Sequence, residues 1–200
     1  ILDMMSLQEQ FNNLEGLKVG IIGDISHSRV ALSNIFGLTT MGADVMTCGP
    51  STLIPPHIEK LGVKVSYDMD EVIDWADAVN ILRIQLERMG TGLYPSTREY
   101  RELFGLSVER IKRHSKDLVV MHPGPMNRGT EIDSAVADSD RAIILDQVLN
   151  DQRHLDDFLT EVSLFSLQIC YGSLRTYYHY SEIIDVVLDK PLHFEHQDLW

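Results

Sequence analysis

The sequence predicts an α/β fold, a three-layer sandwich in which helices cover both faces of a mainly parallel, Rossmann-like sheet. Two observations support this class. Short apolar segments alternate with helical segments over residues 17–148, an alternation typical of strand–helix–strand units. The strand segments are apolar along their length rather than at every second position, as strands buried on both faces are. We therefore expect about five strands whose carboxyl ends share one edge of the sheet.

Five segments rich in Val, Ile, Leu and Met are predicted to form the strands: residues 18–23, 44–49, 63–67, 77–82 and 117–122. Each is short, as strands of globular proteins usually are. The first two end in Gly23 and Gly49, and glycine favours a sharp turn directly after a strand.

Five further segments are predicted to be helical: residues 27–41, 55–62, 70–76, 97–104 and 107–115. In the first helix, Val30, Ile35 and Leu38 are expected to face the sheet. The second starts with proline and ends at Gly62, which are typical start and stop signals. The third begins with acidic residues, which the helix dipole favours. Ser96 is expected to cap the fourth.

The composition changes near residue 150, which predicts two parts, residues 1–150 and an extension over residues 151–200. The first part holds twelve of the thirteen glycines. The extension is acidic, with nine acidic and three basic residues. Apolar residues recur at helical spacing in the extension: Leu155, Phe158, Leu159, Val162, Phe165 and Ile169. The extension is therefore predicted to be helical, and it contains no motif that we recognise.

The net charge and the length of the apolar runs each argue against one class of partner. Seventeen basic and thirty acidic residues give a formal net charge of −13, which opposes binding to a phosphate backbone, so no nucleic acid is expected. No apolar run approaches the ~20 residues that a membrane-spanning helix needs, so no membrane association is expected.

Two cysteines, Cys48 and Cys170, lie far apart in the chain and indicate no disulfide framework, which fits a reducing cytoplasm. The chain begins at Ile1 without a signal-peptide pattern. We expect it to start within a longer protein.

Polar residues follow three of the predicted strands at the edge where open α/β sheets bind ligands. Arg29 follows the first strand, Arg83 and Gln85 follow the fourth, and a turn containing Pro123 and Gly124 follows the fifth. Two arginines suit a ligand with two carboxylates, because each planar guanidinium can hold one carboxylate. Glycine lets a backbone approach a ligand closely. The alternative, that each arginine pairs with an Asp or Glu of this acidic chain, stays open here.

Other candidates favour structural roles. His122 follows a strand and could act as a general base, but we favour an orienting role for its imidazole. For His27 we favour loop packing over ligand contact, and for Cys48 buried packing. His154 and the pair His193 and His196 lack further ligands at suitable spacing, so no metal site is predicted.

A dinucleotide site is the weaker enzyme alternative. Gly20 and Gly23 lack the third glycine of the dinucleotide-binding fingerprint. The sequence therefore predicts no nucleotide cofactor.

Three segments together resemble the aspartate-binding domain of bacterial aspartate carbamoyltransferases. They read GDISHSRVALSN at residues 23–34, LRIQLER at residues 82–88 and MHPGPMNRGTEI at residues 121–132. The resemblance runs from about residue 3 to about residue 149, in the family's order and spacing. The related ornithine carbamoyltransferases usually have His-Cys-Leu-Pro where this chain has His122-Pro-Gly-Pro, so the resemblance implies aspartate as the second substrate.

The resemblance implies a role for each matching residue. Arg29 would hold one carboxylate of L-aspartate, Arg83 the other, and Gln85 would assist the second contact. The backbone of Pro123 and Gly124 would contact the carbamoyl group and the incoming amine. The implied reaction joins carbamoyl phosphate and L-aspartate into N-carbamoyl-L-aspartate and phosphate, in pyrimidine biosynthesis. No catalytic side chain, metal or cofactor is implied.

Two departures from the family set an expectation about this chain. The carbamoyl-phosphate domain with its Ser-Thr-Arg-Thr loop is absent, and the chain departs from the family pattern after Asn150. We expect the aspartate-binding half of an enzyme, inactive without a carbamoyl-phosphate domain and trimeric only in the full-length context. The alternative is a non-catalytic binding or assembly module derived from this domain.

Overall fold

The computed structural model describes residues 2–84, 96–114, 117–145 and 147. These residues belong to one compact unit. The helix predicted within residues 151–200 lies outside them, and the boundary at residue 150 stays a prediction.

Five parallel strands form a single sheet in the order β3-β2-β1-β4-β5. They are β1 (Lys18–Ile22), β2 (Asp44–Cys48), β3 (Lys64–Ser66), β4 (Ala78–Ile81) and β5 (Val119–Met121). All five predicted strands are present, each one to three residues shorter than predicted. This architecture confirms the predicted α/β fold class. The sequence pattern was informative because segments that are apolar along their whole length are buried only in a sheet covered on both faces.

Six α-helices lie in the described part of the chain: α1 (Leu2–Phe11), α2 (Arg29–Thr40), α3 (Met69–Trp75), α4 (Thr97–Phe104), α5 (Val108–Arg113) and α6 (Ser134–Ala137). Short 3₁₀ turns occupy Ser51–Leu53 and Ile58–Leu61. No described helix is both long enough and apolar enough to cross a membrane. The sequence patterns predicted α2, α3, α4 and α5 but missed α1 and α6.

Side-chain caps explain where two of these helices begin. Ser28 Oγ accepts a hydrogen bond from the Ala31 N–H at 3.1 Å, so α2 starts at Arg29 rather than at residue 27. Ser96 Oγ accepts from the Glu99 N–H at 3.3 Å, which confirms the predicted cap of α4. A capping side chain holds a backbone N–H that has no partner within the helix.

The helix predicted over residues 55–62 is wrong. Only the 3₁₀ turn Ile58–Leu61 forms there, because His57 adopts a left-handed backbone conformation with φ 63°. A helix cannot pass through such a residue. The predicted stop at Gly62 is correct, since this glycine also has positive φ and ends the turn.

The core lies on both faces of the sheet. One face packs α1 and α2 against β1 residues such as Val19 and Ile21, and the other packs α3 and α4 against Ile22. On α2, Ile35 and Leu38 are buried as predicted. Val30 is 37% exposed, which corrects the prediction that it faces the sheet. Val30 precedes Ile35 by five positions, and this spacing places it on another side of a helix with 3.6 residues per turn.

Helix α1 packs closely on α2. A Cβ atom on Gly37 would lie 2.2 Å from Met4 Sδ, so a glycine at this position lets the two helices approach. This contact brings the start of α1, including Asp3, to the edge of the sheet where the candidate site lies.

Candidate functional site

The carboxyl ends of three neighbouring strands carry the segments singled out in the sequence. Strand β1 lies between β2 and β4, and β4 pairs with β5. The register aligns Ile22 with Ile81 and Asn80 with Met121. The loop that leads to Arg29, the segment that contains Arg83 and the turn after β5 therefore emerge side by side.

Close backbone packing supports the loop after β1. Gly23 has φ +132°, and a Cβ atom there would lie 3.0 Å from Leu82 Cβ. A Cβ atom on Gly49 would lie 2.4 Å from the Gly23 carbonyl oxygen. These two positions require glycine, because a larger residue would push the strand ends apart.

A cleft of about 620 Å³ opens at this edge, and we call it the edge cleft. Its walls come from the starts of α1 and α2, from the turn after β5 and from residues 144 and 147. Arg29, Pro123 and Gly124, three of the five predicted site residues, line it together. A cleft with convergent polar groups is the usual form of a small-molecule site.

Arg29 is the exposed first residue of α2. Among the described residues, no carboxylate lies within ion-pairing distance of it. Other arginines do pair with acidic side chains: Arg98, Arg101, Arg110, Arg113, Arg128 and Arg141. At Arg29 this contrast favours a role toward an external anion over pairing within the chain.

Arg83 lies at the same edge but does not line the edge cleft. It is half-buried, and the neighbouring Ile84 carbonyl accepts a hydrogen bond from Asn127 Nδ2 at 3.0 Å. This bond ties the segment after β4 to the turn after β5. Gln85 lies outside the described residues.

His122 orients the turn that contains Pro123 and Gly124. Its Nδ1 accepts a hydrogen bond from the Gly124 N–H at 2.9 Å, so the imidazole proton is assigned to Nε2. Nε2 faces Glu131 Oε1 at 3.3 Å, and both side chains are fully buried. An imidazole with both nitrogens engaged is suited to holding the turn rather than to acting as a base.

Glu131 and Asn127 complete the support of this turn, and sequence reasoning missed both. Glu131 Oε1 also accepts from the Asn127 N–H. Both residues lie inside the segment that resembled a family motif, at residues 121–132. Their polar side chains within this motif were the signal that could have identified them.

Sequence reasoning also missed a buried carboxylate, Asp3, that lines the edge cleft. Asp3 is 9% exposed and accepts hydrogen bonds from three carboxamides. The donors are Asn34 Nδ2 at 2.5 Å, Asn80 Nδ2 at 2.9 Å and Gln147 Nε2 at 2.7 Å. The available signal was weak: Asn34 and Asn80 are polar residues within otherwise apolar buried segments.

The remaining candidates have structural surroundings. His27 Nδ1 contacts the buried Asp24 carboxylate at 2.9 Å within its own loop. Cys48 is buried, and burial raises the pKa of its thiol to about 12, which keeps it neutral. The described residues contain no group of three or more His, Cys, Asp or Glu that could hold a metal. His154, His193 and His196 lie outside them.

A protein-family model described as the Asp/Orn-binding domain of aspartate/ornithine carbamoyltransferase matches residues 15–154. This chain belongs to the aspartate/ornithine carbamoyltransferase family. The resemblance seen in the three sequence segments is thereby confirmed. The match ends close to the predicted change in composition near residue 150.

Individual relatives support the same family assignment. The aspartate carbamoyltransferase catalytic subunit of Heliobacterium modesticaldum is 55% identical over 150 residues, which cover 75% of this chain and 48% of that protein. The chain thus spans about half the length of the curated relatives it matches.

Solved structures of the family share the fold. The catalytic subunit of M. jannaschii aspartate transcarbamoylase has a TM-score of 0.59 at 26% identity, over 74% of this chain and 49% of that one. The ornithine carbamoyltransferase of Pyrococcus furiosus has a TM-score of 0.61 at 24% identity, over 74% and 50%. The second likeness supports the fold alone.

Proposed function

We propose that this chain is the aspartate-binding half of an aspartate carbamoyltransferase, which makes N-carbamoyl-L-aspartate and phosphate from carbamoyl phosphate and L-aspartate. One observation carries the proposal. The edge cleft combines Arg29, which has no carboxylate partner among the described residues, with the exposed backbone of Gly124. The names of relatives that are 55% identical favour aspartate as the substrate.

The two arginines would orient the substrate. L-Aspartate has two carboxylates, and Arg29 would hold one by a charge-assisted pair of hydrogen bonds. Arg83, with Gln85, would hold the other from the next strand end. When both carboxylates are held, the amine of aspartate has a fixed direction, so the nucleophile is oriented before the reaction.

The turn after β5 would receive the amine and the carbamoyl group. His122 already engages the Gly124 N–H, and proline has no N–H. The carbonyl oxygens of Pro123 and Gly124 are therefore the main-chain groups that remain, and they can accept hydrogen bonds from N–H groups of the amine and the carbamoyl group. A Cβ atom at Gly124 would meet nothing within 4 Å, so space exists beside this backbone.

The proposed reaction needs no covalent enzyme intermediate. The aspartate nitrogen attacks the carbonyl carbon of carbamoyl phosphate, a C–N bond forms, the C–O bond to phosphate breaks, and the departing phosphate takes the proton that the amine loses. This chain would contribute positioning of the nucleophile. Stabilisation of the departing phosphate would come from the carbamoyl-phosphate domain.

The proposal extends to partners and location. A carbamoyl-phosphate-binding domain is the required partner, and a homotrimer is proposed only for the full-length context. We also propose a cytoplasmic location and a role in pyrimidine biosynthesis. These points are supported by the family membership and by the family names of the relatives.

The test is formation of N-carbamoyl-L-aspartate by this chain, alone and mixed with a separately produced carbamoyl-phosphate domain. We expect product only in the mixture. Arg29→Ala should raise the KM for aspartate at least ~10-fold, since one charged hydrogen-bonding pair is lost.

Arg98→Ala is the matched control, because Arg98 is an exposed arginine on α4 that pairs with Glu102 and does not line the edge cleft. It should leave the kinetics unchanged. Wild-type aspartate kinetics in Arg29→Ala would contradict the proposed site. Aspartate binding without product in the mixture would favour the non-catalytic binding module instead.

A further inference from the structure

We propose that Asp3 is a positioning residue, which sets the mutual placement of the three segments that carry the substrate-binding residues. The inference rests on the proposed function for the identity of the substrate. Its structural part stands on the geometry around Asp3 alone.

Each carboxamide that bonds to Asp3 belongs to a different part of the site. Asn34 lies on α2, the helix that begins at Arg29. Asn80 lies on β4, three residues before Arg83. Asp3 Oδ2 accepts hydrogen bonds from both, so one oxygen atom joins the helix of the first arginine to the strand of the second.

The other oxygen atom reaches the turn after β5 through Gln147. Gln147 Nε2 donates to Asp3 Oδ1 at 2.7 Å, and Gln147 Oε1 accepts from the His122 N–H at 3.0 Å. His122 in turn accepts from the Gly124 N–H at 2.9 Å. A continuous series of hydrogen bonds therefore leads from Asp3 to the backbone that would contact the reacting groups.

Charge and burial indicate that this arrangement serves placement rather than stability. Among the described residues, no Lys, Arg or His forms an ion pair with Asp3, and the side chain is nearly buried. Removing a carboxylate from water without a countercharge is costly, and replacing a whole buried charged cluster by apolar residues of similar size often gives equal or greater stability. A carboxylate only accepts hydrogen bonds, so it can orient three N–H donors at once.

Asp3 acts through other residues and not on the substrate. It borders the edge cleft, but both of its oxygen atoms are occupied by carboxamide donors. Its removal should therefore change how well the substrate is held while the residues proposed to bind it remain present.

The first test measures amide hydrogen exchange in the ligand-free chain. In Asp3→Leu, Gln147 loses its hydrogen bond to Asp3, so its other hydrogen bond, to the His122 N–H, should weaken. Exchange of the His122 N–H should then become at least ~10-fold faster, as expected when one hydrogen bond is weakened. The Gly23 N–H, which bonds to the Cys48 carbonyl, should keep its wild-type rate. Thr47→Val is the matched control, because Thr47 is a buried polar residue that bonds to the Lys64 carbonyl at the other side of the sheet.

The second test measures kinetics in the mixture with the carbamoyl-phosphate domain. Asp3→Leu should raise the KM for aspartate at least ~10-fold and change the KM for carbamoyl phosphate much less. A purely structural role would instead lower the amount of active protein and leave both KM values unchanged. Thr47→Val should behave as the wild type.

If Asp3→Leu does not fold, Asp3→Asn takes its place. Its amide has one acceptor oxygen for three donors, so the same changes are expected in the same direction and smaller. A folded Asp3 variant with wild-type exchange at His122 and a wild-type KM for aspartate would overturn the inference. If the wild-type mixture makes no product, the proposed function has failed, and exchange at His122 alone decides whether Asp3 positions the turn.

Discussion

Gly49→Ala should be among the most damaging single-methyl additions in the described part of the chain. The new Cβ atom would lie 2.4 Å from the Gly23 carbonyl oxygen, about 1 Å closer than an ordinary contact. The Gly23 carbonyl oxygen belongs to the backbone, so no flexible side chain can move aside. Relief requires that the end of β2 shift away from the end of β1.

That shift would also strain the hydrogen bond from the Gly23 N–H to the Cys48 carbonyl, which is 2.8 Å long. Overpacking of a tight site costs roughly 1–3 kcal/mol, and one weakened hydrogen bond adds about 1 kcal/mol. We therefore expect the free energy of unfolding to fall by about 2–4 kcal/mol. For a domain of this size this corresponds to a Tm lower by roughly 4–16 °C.

Urea denaturation followed by circular dichroism measures this loss, and exchange at the Gly23 N–H locates it. Gly62→Ala is the matched control, because Gly62 has φ +84° and nothing lies within 4 Å of the place that the new methyl group would occupy. Its cost should be limited to backbone strain, about 1 kcal/mol. A loss in Gly49→Ala no larger than that in Gly62→Ala would contradict a destabilising contact between residue 49 and the Gly23 carbonyl.

Two further predictions concern stability. Ser28→Ala removes the cap of α2 and should lower the free energy of unfolding by about 1 kcal/mol, whereas Ser33→Ala, exposed on the same helix, should not; equal losses in the two variants would argue against the cap. Burial raises the pKa of the Cys48 thiol from 9.0 to about 12, so its stabilising effect is complete below pH 9 and is lost as pH rises toward 12. In a Cys170→Ser background, stability should therefore fall between pH 8 and pH 10.5 by about 2 kcal/mol more with Cys48 than with Cys48→Ala. Urea titrations at the two pH values measure this difference, and equal falls would contradict the effect of burial.

Local patterns predicted most of the sheet and several helices. Strands such as β1 and β4 were recognisable because both of their faces are buried, which makes them continuously apolar. Helix α4 was recognisable from its Ser96 cap. Prediction failed at His57, whose left-handed backbone no composition rule indicates, and at Val30, which precedes Ile35 by five positions and therefore lies on another side of α2.

The residues proposed to bind the substrate could be predicted from the sequence, but the residues that hold them in place could not. Arg29, Pro123 and Gly124 follow strand ends, and the parallel topology brings such residues to one edge. Arg83 reaches this edge but does not line the cleft. Their placement relative to one another depends on Glu131 and on the network around Asp3, which sequence reasoning did not identify.

The fold class, the order of most elements and the family can be inferred without the structure, because they depend on hydrophobic periodicity, turn residues and short motifs that are local in the chain. The contacts that hold the site together form only in the folded chain. Asp3 and Gln147 are 144 positions apart, and their hydrogen bond exists only after α1 has packed on α2 at Gly37. Such a bond leaves no periodic signal, since its partners are matched by distance and burial in the folded chain and not by spacing along it.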